Sequence, residues 1–131
     1  MNRLPSTIYA PTHILNEREQ LLLESEAGTS EPRLKLCTDT QIDVGLWWRK
    51  RPLWLCVLED EILILAVGRR RYSERVSIAD CQNSHYNPTS GELVIEPSDT
   101  FRFPRLKMPS SQALNVLKFL KHNSTPNTTT P

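Results

Sequence analysis

Two basic triplets, Arg49-Lys50-Arg51 and Arg69-Arg70-Arg71, stand twenty residues apart in the sequence. Between them lie two apolar hexads, Leu53–Leu58 and Ile62–Val67, split by the acidic Glu59-Asp60-Glu61. Folded as an antiparallel hairpin centred on Asp60, this stretch sets Arg51 opposite Arg69 and Arg49 opposite Arg71. The triplets then form one patch, roughly 30 Å from the acidic tip at ~3.3 Å per residue. Like charges opposed across strands repel, so the patch predicts an offsetting anion. A phosphorylated group, an anionic membrane face, nucleic acid or an acidic protein segment would serve. The plainer expectation is that these side chains splay into water beside Asp43, Glu74 or Asp80 and confer solubility. Trp47 and Trp48 adjoin the first triplet, a type and place suited to a membrane interface or to stacking on bases. Adjacent strand residues face opposite ways, so one of them packing the core and the other covering an edge accounts for the pair equally.

Nucleophilic and metal chemistry find no such constellation. Ser84-His85 and Asp80 are close in sequence but lack a Gly-x-Ser-x-Gly turn. His13 and His122 fall in or beside the tails. The three cysteines, Cys37, Cys56 and Cys81, have no Cys-x-x-Cys pair and no His at zinc spacing. Cys56 belongs to a strand apolar on both faces and reads as an inert core thiol. Cys37 falls on a wet face, reactive only where Lys35 or another neighbour lowers its pKa. Paired carboxylates occur at the hairpin tip alone, and the four glycines are not clustered into a phosphate-cradling loop. The expectation is no catalytic residue, no metal and no cofactor. A small enzyme whose site a single sequence does not display is the alternative from another class.

The chain that must position the patch has 131 residues, enough for one domain. Hydrophobic residues make up 38%, and the shortfall against a typical globular chain gathers at the ends. Residues 1–16, with Leu4, Ile8 and Leu15 between prolines and polar residues, read as a tail or loosely docked arm. Residues 17–122 read as the folded domain, and the Asn/Ser/Thr/Pro-rich 123–131 as a disordered tail. No apolar run reaches the ~18–20 residues of a membrane-spanning helix. A formal net charge of +1 argues against a cationic nucleic-acid coat. No secretory signal opens the sequence, so a reducing, cytoplasmic setting is expected.

Residues 17–26, containing Leu21-Leu22-Leu23, fit either a strand or a helix. Ala27-Gly28-Thr29-Ser30-Glu31-Pro32 is a loop. Leu34 to Asp43 alternates with period two, a half-buried strand that Gly45 is expected to break. The two hexads predict the central hairpin, and Val76 to Asp80 another short strand. Asn87-Pro88-Thr89-Ser90-Gly91 is turn chemistry, followed by a strand over Glu92–Glu96. Phe101, Phe103, Leu106 and Met108 predict a last strand interrupted at Pro104. After Pro109 the period becomes helical, with Ala113, Val116, Leu117 and Leu120 on one face. The fold class is therefore mainly β: about seven antiparallel strands and one C-terminal α-helix.

That order resembles the pleckstrin-homology-like (PH-like) domain of bacterial type. The stretch from Trp48 to Leu65, WRKRPLWLCVLEDEILIL, looks like the strand–turn–strand of such domains. Arg75 to Asp80 looks like the strand that follows it there, and Pro88 to Ile95 with the C-terminal helix completes the order. The resemblance covers roughly residues 17–122 and implies a bent sheet plugged at one end by the helix. It also implies a binding or scaffold role, since members bind phosphoinositides, peptides or other proteins. Where members bind phosphoinositides, basic residues cluster around the first strand pair. Here the loop 27–32 is acidic and has no Lys-x-Lys pattern, which argues against that specificity. The expected function is a non-enzymatic intracellular module contacting a protein or anionic ligand. Its contact residues would be Arg49, Lys50, Arg51, Arg69, Arg70, Arg71, Trp47 and Trp48. Peripheral binding to anionic membrane lipid is the alternative, nucleic acid is disfavoured, and a free strand edge could take a peptide or a second copy.

Overall fold

The computed structural model describes residues 14–46, 49–99 and 101–128. Of the two conformations open to residues 17–26, the chain takes the helix, α1 (Glu17–Ala27). Asn16 starts it with a reciprocal capping box. The Asn16 side chain accepts from Glu19 N at 2.8 Å, and Glu19 Oε1 accepts from Asn16 N at 2.9 Å. Gly28, at φ 64°, ends the helix by donating its N–H to Glu24 O. Glu19, Leu22 and Leu23 are its buried residues, one face of the 3.6-residue repeat.

Among the described residues seven strands follow, in two antiparallel sheets. The first has the order β1 (Leu34–Leu46), β2 (Arg49–Val57), β3 (Glu61–Val67), β4 (Arg71–Ser77). The second has β5 (His85–Asn87), β6 (Glu92–Val94) and β7 (Arg105–Lys107). Neither sheet closes on itself among the described residues. A second helix, α2 (Ser110–Thr128), completes a mainly β architecture.

Strands β2 and β3 explain their own two-sided apolarity. Leu53, Leu55, Val57, Ile62, Ile64 and Ala66 face the main core, which also holds Leu93, Ile95, Leu106, Ala113, Val116 and Leu120. The alternate residues, Trp54, Cys56, Leu58, Leu63, Leu65 and Val67, form a second cluster with Leu22 and Leu23 of α1. Helix α1 is thus the lid on the outer face of the sheet, and Leu15 packs against the same cluster. Leu4 and Ile8 lie outside the described residues.

Several boundaries differ from the sequence pattern for local reasons. Strand β1 is not broken at Gly45. It continues to Leu46 through a register shift, with Gly45 at φ 83°. The positive φ favours glycine there, and a Cβ would also crowd the Arg69 side chain, 3.1 Å from its Cβ. The β2–β3 register pairs Trp54 with Leu65 and Val57 with Ile62, one residue off an Asp60-centred turn. Leu58 N closes that turn onto Glu61 O at 2.8 Å. The strand expected over Val76–Asp80 ends instead at Ser77, whose Oγ accepts from Ala79 N and caps a 3-10 turn, Ile78–Cys81. Strand β6 stops at Val94, because Ile95 N bonds to Pro104 O and Glu96 N to Ser84 Oγ. Helix α2 runs on to Thr128, beyond His122 where the apolar period stops.

Candidate functional site

The end of β1, the tight β3–β4 turn and the segment 101–103 ahead of β7 meet at one end of the molecule. Val67 pairs with Arg71 across the turn Gly68-Arg69-Arg70, closed by Gly68 N to Arg70 O at 2.9 Å. Arg70 N then donates to Val44 O at 2.8 Å, tying the turn to β1. Arg69, Arg70 and Arg71 are all exposed there. Arg49 and Lys50 open β2, exposed, with Arg49 opposite Leu46 of β1. Trp47 and Trp48 lie outside the described residues.

Arg51 has a different occupation. The β2–β3 pairing ends at Trp54–Leu65 and is shifted by one residue, so Arg51 is not paired with Arg69. It pairs with Ile42 of β1, and its Nη2 lies 2.9 Å from Glu19 Oε2. The Glu19 side chain is 1% exposed and that of Arg51 30%, so the pair is largely withdrawn from water. The other Glu19 oxygen holds the α1 cap. This guanidinium fastens α1 to the sheet and is spent on that task. Among the described residues nothing comparable holds Arg70. Its nearest carboxylate is Asp43 at 3.9 Å, and both side chains are about two-thirds exposed, at 68% and 67%. A pair in that setting contributes little, and the positive charge stays available.

What the sequence patch lacked is Arg102. A cleft of about 240 Å³ is lined by Ile42, Asp43, Val44, Arg70, Arg71, Tyr72, Arg102 and Phe103. The Arg102 guanidinium carbon stands 5.8 Å from the Phe103 ring centroid. Phe103 in turn meets Tyr72 edge-on, with centroids 5.2 Å apart and planes at 80°. Tyr72 OH donates to Glu74 Oε1 at 2.8 Å, and the same oxygen accepts from Arg102 N at 2.8 Å. Burial, then the bond and charge of Glu74, push the Tyr72 phenol well above its ordinary range, opposed by the Arg102 charge. Tyr72 therefore stays a neutral donor. Three guanidiniums and two aromatic rings border one hollow, with a single carboxylate, Asp43, in its lining.

Elsewhere, several polar groups are occupied structurally. Ser84 Oγ donates to Cys81 O at 2.8 Å and accepts from Glu96 N at 3.0 Å, while His85 Nδ1 lies 3.4 Å from Asn83 O. Burial raises the Cys56 thiol to about 12 and the Cys81 thiol to about 11. Cys37 is also raised, by its burial first and then by the charges of Glu19 and Asp39, so its thiolate is disfavoured. At the acidic end, Arg75 lies 3.6 Å from Glu26 and 3.8 Å from Glu61. Trp54 and Ile14 line two further hollows, of about 310 and 200 Å³, and among the described residues the Trp54 Nε1–H has no hydrogen-bond partner. No group of three His, Cys, Asp or Glu side chains among the described residues is arranged to hold a metal ion. No protein-family model, curated protein or solved structure matches the chain.

Proposed function

We propose that this chain is a non-enzymatic binding module of PH-like type, whose ligand is an anionic segment of a protein held at the basic end. The observation that carries this reading is the meeting of Arg70, Arg71 and Arg102 around one cleft. Arg102 is far from the triplet in sequence, so its presence there is a product of the fold. Guanidinium forks suit carboxylate and phosphate oxygens, in bidentate pairs worth more than point-charge contacts. The rings of Tyr72 and Phe103 supply an apolar wall for the stem of an anchoring side chain. The hollow is smaller than the ~300–1,000 Å³ of small-molecule pockets, and suits one anionic side chain rather than a whole cofactor. Arg49, Lys50 and Arg69 would act as an outer field that draws the partner in. The succession of four strands, three strands and a C-terminal helix supports the PH-like assignment.

The test uses a labelled polyglutamate peptide and phosphatidylcholine vesicles with and without phosphatidylserine, at low salt where screening is weak. The expected result is salt-sensitive binding of the peptide, weakened at least about tenfold when Arg71 and Arg102 are both replaced by Glu. Binding to the anionic vesicles but not to the peptide would favour the membrane instead. Failure of the peptide to bind, or binding indifferent to the two reversals, would overturn this reading.

A further inference from the structure

We infer that Glu74, an anion beside a site for anions, is the positioning residue of the cleft and strengthens binding against the sense of its own charge. This rests on the anion-binding reading above. Glu74 is half-buried on β4, and one of its oxygens, Oε1, is shared by two donors from different parts of the chain. Tyr72 OH reaches it from two residues away on the same strand, and Arg102 N from 28 residues further along. Segment 101–103 lies between β6 and β7, outside both strands, and carries an exposed Arg102. Its backbone is thus pinned to the edge strand β4 at Arg102 N. The same oxygen fixes the Tyr72 ring, against which Phe103 packs edge-on, and Phe103 lies beneath the Arg102 guanidinium. One carboxylate oxygen therefore sets both the backbone that bears the cation and the ring stack that supports it. A backbone N–H bonding to a carboxylate is a charge-assisted bond, stronger than one to a neutral acceptor. Without it the Arg102 backbone loses its tie to β4, with only the flanking residues, buried Phe101 and Pro104 bonded to Ile95 N, still held, and the third guanidinium of the cleft is less well placed.

Positioning and plain electrostatics predict opposite signs. Coulomb's law alone says that removing Glu74 raises the positive potential and tightens an anion. Positioning says that Glu74→Ala weakens polyglutamate binding, roughly tenfold, the scale seen when an outer partner that orients a ligating group is removed. Glu74→Gln keeps an acceptor oxygen for both donors and discards the charge, so it should bind at least as tightly as the unaltered protein. A second readout needs no ligand: hydrogen exchange at the Arg102 amide, followed by NMR in the three proteins. The expected pattern is faster exchange in Glu74→Ala and little change in Glu74→Gln. Binding in Glu74→Ala equal to or tighter than in the unaltered protein would overturn the inference, as would an Arg102 amide whose exchange is the same in all three. If the peptide binds none of them, the anion-binding reading fails, and the amide alone decides whether Glu74 holds the segment.

Discussion

The six basic side chains of the two triplets divide into different roles, and Arg51 and Arg71 mark the extremes. Arg51 neutralises a carboxylate that is 1% exposed, whereas Arg71 stands in water at the lip of the cleft. Removing one member of a buried pair strands the other, at a cost of about 3–5 kcal/mol in well-buried cases. Arg51→Ala should therefore destabilise the protein by about 3 kcal/mol, at the lower end because Arg51 itself reaches solvent. Glu19→Gln should cost less, since the guanidinium left behind can hydrate. Arg71→Ala should stay within about 0.5 kcal/mol. Urea denaturation of the three variants checks the order, and equal effects of Arg51→Ala and Arg71→Ala would contradict these roles. The triplets could be read from the sequence because they are contiguous. The division of labour among them could not, because Glu19 lies 32 residues from Arg51 and only the packing of α1 joins them. Arg102 was hidden for the same reason, as a single cation between two phenylalanines gives no local signal.

Among the elements, α1 is the one whose type sequence periodicity left undecided. A charged residue, Glu19, occupies its buried face, while the apolar Leu21 points outward at 59% exposure. That exchange spoils the apolar stripe by which amphipathic helices are recognised. The legible signal was a different one, Asn16 followed three residues later by Glu19, the reciprocal cap that starts a helix. Burial separates neighbouring leucines sharply. Leu23→Ala, at a position 2% exposed beneath the helix, should cost about 2–5 kcal/mol, and Leu21→Ala should change stability by no more than about 0.5 kcal/mol. Thermal or chemical denaturation would show the contrast, and comparable losses would mean that α1 does not seat as described. The strands were more readable. Period two marked β1, and the two hexads marked β2 and β3, because side chains alternate faces whatever lies beyond them. Only the cover on the outer face needed three dimensions.

For the molecule as a whole, near-neutrality conceals a separation of charge along the first sheet. Basic side chains gather at the β3–β4 turn, and Glu26, Glu61 and Arg75 interlock towards the other end. Stability should also depend on pH on the alkaline side. Burial raises Cys56 from its ordinary 9.0 to about 12 and Cys81 to about 11. Between about pH 9 and about 11–12 the unfolded chain has lost these protons while the folded chain keeps them. Unfolding is then favoured by rising pH: the contribution is whole below about 9 and fades through that window. The urea midpoint should fall between about pH 8 and about pH 10.5, and fall less in Cys56→Ala measured against its own value at the lower pH. A midpoint flat across this range would show that the thiols are not buried as described. The seat of α1 also has a consequence for the order of events during synthesis. The helix leaves the ribosome before β2 and β3 exist, and chains are made N-terminus first. An isolated helix of eleven residues is marginal in water, so its two buried leucines have nothing to hold them until the central hairpin emerges. The helix is thus made before anything can fix it, and the nascent hairpin carries an uncovered oily side until the helix folds back onto it.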